Sequence, residues 1–305
     1  MTTSNLPVLI NRDGGAASKA ADKLPEQVSQ AFADAGGKAD VQMLAAGQME
    51  KAIKGAAKKH KRIVVAGGDG TISAAAQLLT GTITELAILP LGTLNHFARD
   101  LGIPSDLAEA AKLAVTGHAR PVDIGEVNGK RFINNASVGL YPFMVRNRDA
   151  IRERRGWPKW LAMVPASWAA LSRLRHHRLR IDMGRGEKPV ITPLLFVGNN
   201  HYSLEGGSVG CRDSLSDGKL SVYAVSRAGR LALFWFGART LIGRADRKQD
   251  FETLGDTGAL SVHSPDRSLE IALDGEVQRL KLPLEFRIHL GGLNVAVPSD
   301  IRRTV

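Results

Sequence analysis

The sequence predicts two fold classes in succession: an α/β N-terminal domain built on a parallel sheet, and a C-terminal antiparallel β-sandwich domain. In the first 120 residues, short apolar runs alternate with helix-like segments and glycine-rich turns, as in a parallel sheet with crossover helices. After Pro121, short strand-like runs succeed one another with turn dipeptides between them, which favours an antiparallel sandwich or barrel. This change of pattern predicts two domains, residues 1–122 and residues 123–305.

The N-terminal part repeats the order strand, glycine-rich turn and helix. Buried-type strands are predicted at Pro7–Asn11, Lys61–Ala66 and Leu86–Pro90. Helices are predicted to follow them at Ala16–Ala35, at Thr71–Leu79 and from about Asn95 to Leu101. In such a sheet the turns meet at the carboxyl edge, which is where open α/β sheets bind ligands.

The C-terminal part contains eight predicted strands: Val122–Val138, Leu179–Met183, Val190–Gly198, Lys219–Ser226, Leu260–Ser264, Leu269–Leu273, Val277–Leu282 and Leu284–Leu290. Turn signals separate them, namely Asn128-Gly129, Asp217-Gly218, Asp274-Gly275 and Gly291-Gly292. Packing of the last residues of the chain against the first domain, instead of within the second, is left open.

Composition excludes several classes of protein. Of the 305 residues, 44% are hydrophobic and 23% are charged, so a disordered or collagen-like chain is excluded. The single cysteine, Cys211, cannot form an internal disulfide, which indicates a reducing compartment. Residues 1–11 lack the pattern of a signal peptide, and no apolar run of 18 residues occurs. We therefore expect a cytoplasmic protein.

The net charge of +11 is concentrated in one stretch, residues 144–181, which also holds three of the four tryptophans. Arginines flanking tryptophan rings suit an anionic membrane surface, so we expect peripheral membrane association through this stretch. A solvated basic helix packed through its tryptophans is the alternative. Nucleic acid is not an expected partner, because no helix-turn-helix, RNP-type or zinc-finger pattern accompanies the charge.

The segment Val64–Thr71 contains Gly67-Gly68-Asp69-Gly70 at the end of a predicted strand. Glycines let the backbone approach a ligand, and the N-terminus of the following helix favours phosphate. A carboxylate in such a loop opposes phosphate unless a cation mediates, so Asp69 is a candidate for Mg²⁺ bound to a nucleotide. The loop matches neither the Walker A motif nor the dinucleotide fingerprint. A tight strand-to-helix turn without a ligand is the alternative.

A second turn, Pro90 to Asn95, lies at the same predicted edge of the sheet. Together, Gly-Gly-Asp-Gly-Thr at 67–71 and Pro-Leu-Gly-Thr-Leu-Asn at 90–95 resemble the diacylglycerol kinase catalytic-domain family, which includes bacterial lipid kinases and sphingosine kinases. Further segments resemble the family's later motifs: Gly198-Asn199-Asn200 with Gly206-Gly207, Asp217-Gly218-Lys219-Leu220 and Asp274-Gly275-Glu276.

The resemblance implies an ATP-dependent lipid kinase with a nucleotide-binding first domain and a lipid-substrate second domain. By motif, ATP would contact Gly67, Gly68, Asp69, Gly70, Thr71, Ile72, Ser73, Gly92, Thr93 and Asn95. Glu276, with Asp274 beside it, would be the general base on the lipid hydroxyl. Asp69 would hold the catalytic Mg²⁺, and Asp217 with the backbone carbonyls of Ser214 and Lys219 would bind a structural Mg²⁺.

The sequence departs from the family pattern at three places. Asn11 is followed by Arg12 instead of proline, Asn95 by His96 instead of aspartate, and Met43 replaces a threonine. These changes affect expected nucleotide contacts but leave the 67–71 and 274–276 motifs intact.

Other functions stay open from the sequence. A kinase of a soluble substrate, similar to the NAD kinases, is the second enzyme hypothesis, and a catalytically silent lipid or nucleotide sensor is the third. Gly206–Gly210 matches a serine-hydrolase elbow with Ser208, Asp217 and His263 in triad order, but the required helix is not predicted after it. Neither the lipid nor the oligomeric state follows from the sequence.

Overall fold

The structure is a computed structural model that describes residues 5–14, 23–139, 176–202, 212, 214–225 and 251–299. The chain forms two compact units. The N-terminal unit comprises Met1–Ile124, Asp213–Asp217 and His289–Val305, and the C-terminal unit comprises Gly125–Arg212 and Gly218–Ile288.

The N-terminal unit is a parallel sheet with helices between its strands. Its strands are β1 (Asn5–Asn11), β2 (Lys38–Leu44), β3 (Arg62–Gly67) and β4 (Glu85–Pro90). Its helices are α1 (Leu24–Asp34), α2 (Ala46–Ala57), α3 (Asp69–Leu79), α4 (His96–Asp100) and α5 (Leu107–Thr116). The strand order is β2-β1-β3-β4, every pair is parallel, and the end of the last strand of the chain continues the sheet beside β4.

The centre of this sheet is buried because its strands are continuous apolar runs. Ile63, Val64, Val65 and Ala66 of β3 have no solvent exposure, as is typical of parallel strands covered on both faces. Helix α1 buries Leu24, Val28, Ala31 and Phe32, which share one face by helical spacing. The α/β fold predicted for this part of the chain is confirmed.

The C-terminal unit contains the remaining strands. They are β5 (His118–Val127), β6 (Lys130–Phe132), β7 (Asn135–Gly139), β8 (His177–Asp182), β9 (Glu187–Thr192), β10 (Leu194–Asn199), β11 (Leu220–Val225), β12 (Phe251–Thr257), β13 (Ala259–His263), β14 (Ser268–Leu273), β15 (Glu276–Lys281) and β16 (Leu284–Val297). Strands β5 and β16 each begin in one unit and end in the other.

Two antiparallel layers share one hydrophobic core in this unit. Six strands form a sheet in the order β12-β11-β10-β7-β14-β15, and the second layer pairs β9, β8, β13 and the first half of β16. Side chains of both layers, such as Val222 and Ile271 from one and Val262 and Phe286 from the other, belong to the same buried cluster. The predicted antiparallel sandwich is therefore confirmed.

Several predicted boundaries were wrong. The segment predicted as strand at Val122–Val138 is three strands: the predicted turn at Asn128 (φ 47°) and Gly129 (φ 78°) separates β5 from β6, and a further break after Phe132 separates β6 from β7. The turn predicted at Gly291-Gly292 lies inside β16, where Gly291 has φ 56°. Among the described residues, no helix is long and apolar enough to cross a membrane.

Candidate active site

The loop after β3 leads directly into α3, which begins at Asp69 rather than at the predicted Thr71. The preceding residue, Gly68, is extended (φ −89°, ψ −177°) and provides no side-chain cap. The backbone N–H groups of Asp69, Gly70 and Thr71 donate to no acceptor in the part of the chain that the structure describes. Three free donors at the positive end of a helix dipole form a binding place for an anion such as phosphate.

The carboxylate of Asp69 joins this loop to the one after β4. Its Oδ2 accepts the N–H of Asn95 at 3.0 Å, and its Oδ1 accepts the N–H of His96 at 2.7 Å. A carboxylate oxygen has a second lone pair, so each can still face a cation while it holds the backbone. Asp69, which was predicted as a ligand of Mg²⁺, thus also connects the two loops through hydrogen bonds.

Asn95 shapes the second loop from within. Its Oδ1 accepts the N–H of Gly92 at 3.0 Å, and its Nδ2 donates to the carbonyls of Gly92 (2.9 Å) and Pro90 (3.3 Å). Its backbone is left-handed (φ 48°, ψ 46°), a conformation that asparagine tolerates better than most residues. The amide of Asn95 is therefore occupied by its own loop, while Thr93 beside it is exposed.

The two loops touch through glycines. A Cβ added to Gly92 would lie 2.6 Å from the Cα of Gly68 and 2.5 Å from the Oδ1 of Asn95. A Cβ added to Gly67 would lie 2.6 Å from the Cβ of Thr71. Any other residue at Gly92 would thus push the two loops apart, and any other residue at Gly67 would displace the Thr71 side chain within the first loop.

Asn11, which the sequence analysis did not assign to the site, contacts the first loop, and nearby Asp13 contacts the start of α2. Asn11, at the end of β1, donates from Nδ2 to Thr71 Oγ1 at 2.8 Å. Asp13 accepts the N–H of Ala46 through Oδ2 at 2.8 Å, at the start of α2. The one sequence feature that could have indicated a role for them is their position at the end of a buried strand, at the carboxyl edge of the sheet.

The remaining predicted contacts of the first loop differ in exposure. Gly70 is exposed and Thr71 is half-buried, whereas the side chains of Ile72 and Ser73 are buried. Met43, which replaces the family's threonine, packs against the hydrophobic core of the unit. A ligand at the start of α3 would therefore meet backbone and the Thr71 side chain before it met Ile72 or Ser73.

In the C-terminal unit, Asp274 and Gly275 form the two-residue turn between β14 and β15, with φ 47° and 87°. Asp274 Oδ2 accepts the N–H of Ile133 at 2.9 Å, and Oδ1 accepts the N–H groups of Asn134 (2.8 Å) and Asn135 (3.2 Å). Asp274, predicted as a catalytic partner, thus holds a neighbouring loop. The side chain of Glu276 is exposed, and its carboxylate forms no hydrogen bond or ion pair with any described residue.

The residues predicted for a structural metal are distributed over both units. Ser214 and Asp217 belong to the N-terminal unit, and Lys219 belongs to the C-terminal unit. The Lys219 carbonyl accepts the N–H of Asn200 at 2.8 Å, and Ser214 Oγ accepts the N–H of Ser216 at 3.2 Å. Asp217 is exposed. Within the described ranges, no three His, Cys, Asp or Glu side chains cluster in a way that could hold a metal ion.

Comparison with known proteins identifies the chain. Residues 5–127 match the model of the diacylglycerol kinase catalytic domain. A diacylglycerol kinase of Bacillus subtilis (strain 168) is 43% identical over 288 residues, which cover 90% of each chain. This chain belongs to the diacylglycerol kinase family. A "Probable lipid kinase YegS-like" of Pseudomonas aeruginosa (strain PAO1) is 30% identical over 248 residues, 79% of this chain and 78% of the relative.

Solved structures agree with the fold of the kinase. A diacylglycerol kinase from Bacillus anthracis str. Sterne superposes with a TM-score of 0.69 at 20% identity, covering 99% of this chain and 100% of the other. Another structure from the same organism reaches a TM-score of 0.76 at 23% identity, over 99% and 98% of the two chains. The chain is therefore an enzyme of the phosphotransferase class.

The donor set at the Asp69 loop fits the magnesium nucleotide that a kinase uses. The free N–H groups at the start of α3 suit phosphate oxygens. The Asp69 carboxylate offers hard oxygen ligands beside them, as Mg²⁺ prefers.

Two sets of sequence predictions lie outside the described residues. They are most of the basic stretch 144–181, because residues 140–175 are not described, and the possible hydrolase elbow Gly206–Gly210.

Proposed function

We propose that this kinase transfers the γ-phosphoryl group of ATP to the hydroxyl of a lipid, diacylglycerol or a related lipid alcohol. The observation that carries the proposal is the pair of glycine loops joined by Asp69 around the uncapped start of α3. The names of the relatives supply the acceptor class: diacylglycerol for one and a lipid for the other.

The nucleotide phosphates bind at the N-terminus of α3. The N–H groups of Asp69, Gly70 and Thr71 face the phosphate oxygens, and the Gly68–Gly92 contact keeps side chains away from them. Phosphoryl transfer depends mainly on such positioning and on charge neutralisation, because the protein forms no covalent bond to the phosphate. When bound, Mg²⁺ neutralises phosphate charge, and the Asp69 carboxylate would hold it.

Glu276 accepts the proton of the lipid hydroxyl. Its carboxylate is exposed at a hairpin tip and holds no described partner, so it is available to a substrate. Asp274 is not free in this way, because its carboxylate accepts three backbone N–H groups. A positioned general base contributes roughly 10²- to 10⁴-fold to a rate. The catalytic assignment is therefore Glu276 as base and Asp69 as the magnesium-binding carboxylate.

The kinase meets its lipid at the surface of an anionic membrane, from the cytoplasm and without inserting. The basic stretch 144–181, with its tryptophans, is the proposed contact. The structural Mg²⁺ site of Asp217, Ser214 and Lys219 stays a separate proposal. Its test is the stability of the protein with Mg²⁺ and with a chelator.

The proposed function is tested by incubating the protein with γ-labelled ATP, Mg²⁺ and total membrane lipid, and identifying the labelled product. We expect a chloroform-extractable phospholipid that carries the label. If the label were found on NAD or another soluble alcohol and not on lipid, the acceptor would be a soluble molecule and the lipid proposal would be wrong. ATP binding without transfer to any acceptor would identify a sensor.

A further inference from the structure

Arg212 is a buried cation that the proposed mechanism does not use. It has 5% relative exposure and belongs to the C-terminal unit. Its Nη1 donates to the carbonyls of Ile133 (2.6 Å) and Asn199 (3.1 Å), and its Nη2 donates to Asn134 Oδ1 at 2.8 Å. The guanidinium lies 5.5 Å from the centre of the Tyr202 ring. Burying a guanidinium costs free energy unless it is hydrogen-bonded. These contacts therefore indicate that Arg212 fixes the backbone segment that it binds.

The segment that Arg212 holds is Ile133–Asn135, the loop after β6 together with the first residue of β7. The same loop receives the Tyr202 hydroxyl, which donates to the Asn134 carbonyl at 2.9 Å. Asn199 Nδ2 donates to the Ile133 carbonyl at 3.0 Å, and the Asn199 N–H donates to the Asn134 carbonyl at 2.9 Å. The carbonyl side of the loop is thus bound by Arg212 and its neighbours.

The N–H side of the same loop is bound by Asp274. Its carboxylate accepts the N–H groups of Ile133, Asn134 and Asn135, and its own N–H donates to the Asn135 carbonyl at 3.0 Å. The peptide group between Ile133 and Asn134 therefore has a cation, Arg212, at its carbonyl and an anion, Asp274, at its N–H. In a low-dielectric interior, opposite charges at the two ends of a peptide group polarise it and strengthen its hydrogen bonds.

We propose that Arg212 is a positioning residue for Glu276, acting through the loop Ile133–Asn135 and Asp274. Glu276 is two residues after Asp274, at the first position of β15, so the hairpin tip moves when Asp274 loses its three N–H donors. Arginine suits this position because its planar fork reaches a side-chain oxygen and two carbonyls at once, which a lysine ammonium cannot do in the same geometry. The inference rests on the proposed role of Glu276 as the base.

The test compares Arg212→Met with Arg279→Gln, an exposed arginine of the same hairpin that pairs with Glu270 at 3.2 Å. Because a small misplacement of a reacting group is costly, we expect Arg212→Met to lower kcat by about 10- to 100-fold. The KM for ATP changes by less than about twofold, because the nucleotide loops belong to the other unit. Arg279→Gln leaves both parameters at the wild-type value.

A double-mutant cycle separates positioning from general damage. If Arg212 acts through Glu276, Arg212→Met causes little further loss of kcat when Glu276 is already Gln. The same fold-loss in both backgrounds would overturn the proposal, as would wild-type kcat in a folded Arg212→Met protein. If Arg212→Met does not fold, Asn134→Ala, which removes one acceptor of Arg212, replaces it: unchanged kcat in Asn134→Ala refutes the positioning role.

A readout that needs no activity keeps this inference separate from the proposed function. Hydrogen–deuterium exchange of the amides around 133–135 and 273–276 accelerates in Arg212→Met and not in Arg279→Gln. Unchanged exchange means that Arg212 does not hold the hairpin, even if the enzyme is a lipid kinase. If exchange accelerates in Arg212→Met while the wild-type chain phosphorylates no lipid, the proposed function is overturned and Arg212 remains the residue that holds the loop.

Discussion

At the scale of single residues, short polar side chains arrange the backbone of the candidate site. Asp69 accepts the N–H groups of Asn95 and His96, and Asn95 accepts and donates within its own loop. Asp274 does the same for three N–H groups of a loop in the other unit. Each of these side chains is short enough to leave its carboxylate or amide next to the backbone. The geometry of the loops therefore depends on the same residues that the motifs mark for chemistry.

The contact between the two glycine loops predicts the effect of one methyl group. Gly92→Ala places a Cβ 2.6 Å from the Cα of Gly68, where the neighbour is backbone and has little room to move. We expect the free energy of unfolding to fall by about 1–3 kcal/mol and ATP affinity to fall with it. Thermal unfolding and ATP titration measure the two effects.

Gly55→Ala is the matched control for this substitution. Gly55 lies in α2, and a Cβ there meets nothing within 4 Å. Alanine in an exposed helix position is expected to leave stability unchanged or to raise it by up to about 1 kcal/mol. Equal stability and equal ATP affinity of the two variants would show that the glycine contact is not needed.

At the scale of elements, the amino ends of β3 and β4 are joined by an ion pair. Arg62 donates from Nε to Glu85 Oε2 at 2.8 Å, and its Nη atoms donate to the carbonyls of Ala114 and Gly117, both at 2.8 Å. Burial alone would raise the pKa of Glu85, but the hydrogen bond and charge of Arg62, helped by Lys61, outweigh it and lower the pKa. The ion pair and these hydrogen bonds join β3, β4 and the end of α5 at the edge of the sheet that lies opposite the glycine loops.

The lowered pKa of Glu85 predicts the pH dependence of a variant. A carboxyl group whose pKa is lower in the folded state contributes stability above its ordinary pKa and loses it as the pH falls through the lowered value. At pH 7, Glu85→Gln is expected to reduce the free energy of unfolding by about 2 kcal/mol. Denaturant unfolding at a series of pH values should show this deficit shrinking only in acid. Glu50→Gln, an exposed partner of Lys54, serves as control and should change little.

The sequence predicted elements well where a strand is buried on both faces. Strands β3 and β4 are continuous apolar runs bounded by glycine or proline, and their ends were found to within one residue. Strand β2 and helix α2 were not predicted. The exposed edge strand β2 mixes Lys38, Asp40 and Gln42 with apolar residues, and α2 buries only Met49 and Ile53. Weak patterns of this kind become elements through tertiary packing.

The candidate site was predictable in part for the same physical reason. Glycines at strand ends are a local signal, so the loops at 67–71 and 90–95 could be located from the sequence. The bonds that fix these regions are not local: Asp69 and Asn95, which join the two loops, are 26 residues apart, Asn11 and Thr71 are 60 apart, and Arg212 and Asn134 in the other unit are 78 apart. No pattern in the sequence pairs such residues, and only the fold brings them together.

At the scale of the whole molecule, the distribution of charge bears on how the enzyme reaches its lipid. The chain has 41 basic and 30 acidic residues, and the stretch 144–181 holds much of the excess. The proposal that this stretch contacts anionic membranes predicts binding to vesicles that contain phosphatidylglycerol. Arg152, Arg154 and Arg155 together replaced by Ala should weaken that binding, at about 1 kcal/mol per arginine at low salt.

A control with the same loss of charge isolates the basic stretch. Lys51, Lys58 and Lys59 are exposed in or just after α2, and replacing all three by Ala removes equal charge from another surface. Vesicle flotation at rising ionic strength measures both variants. Equal weakening of the two would mean that net charge alone drives binding and that the stretch 144–181 has no special role.

The central claim is that the loop around Asp69 carries out phosphoryl transfer from ATP to a lipid. Its most direct test is the transfer of labelled γ-phosphate to membrane lipid by the wild type, Asp69→Ala and Asp34→Ala. Asp34 is an exposed aspartate on α1 whose carboxylate accepts a hydrogen bond from Gln30. The account predicts labelled lipid from the wild type and Asp34→Ala, and none above background from an Asp69→Ala protein that stays folded at the assay temperature. Near-wild-type transfer by Asp69→Ala would contradict it.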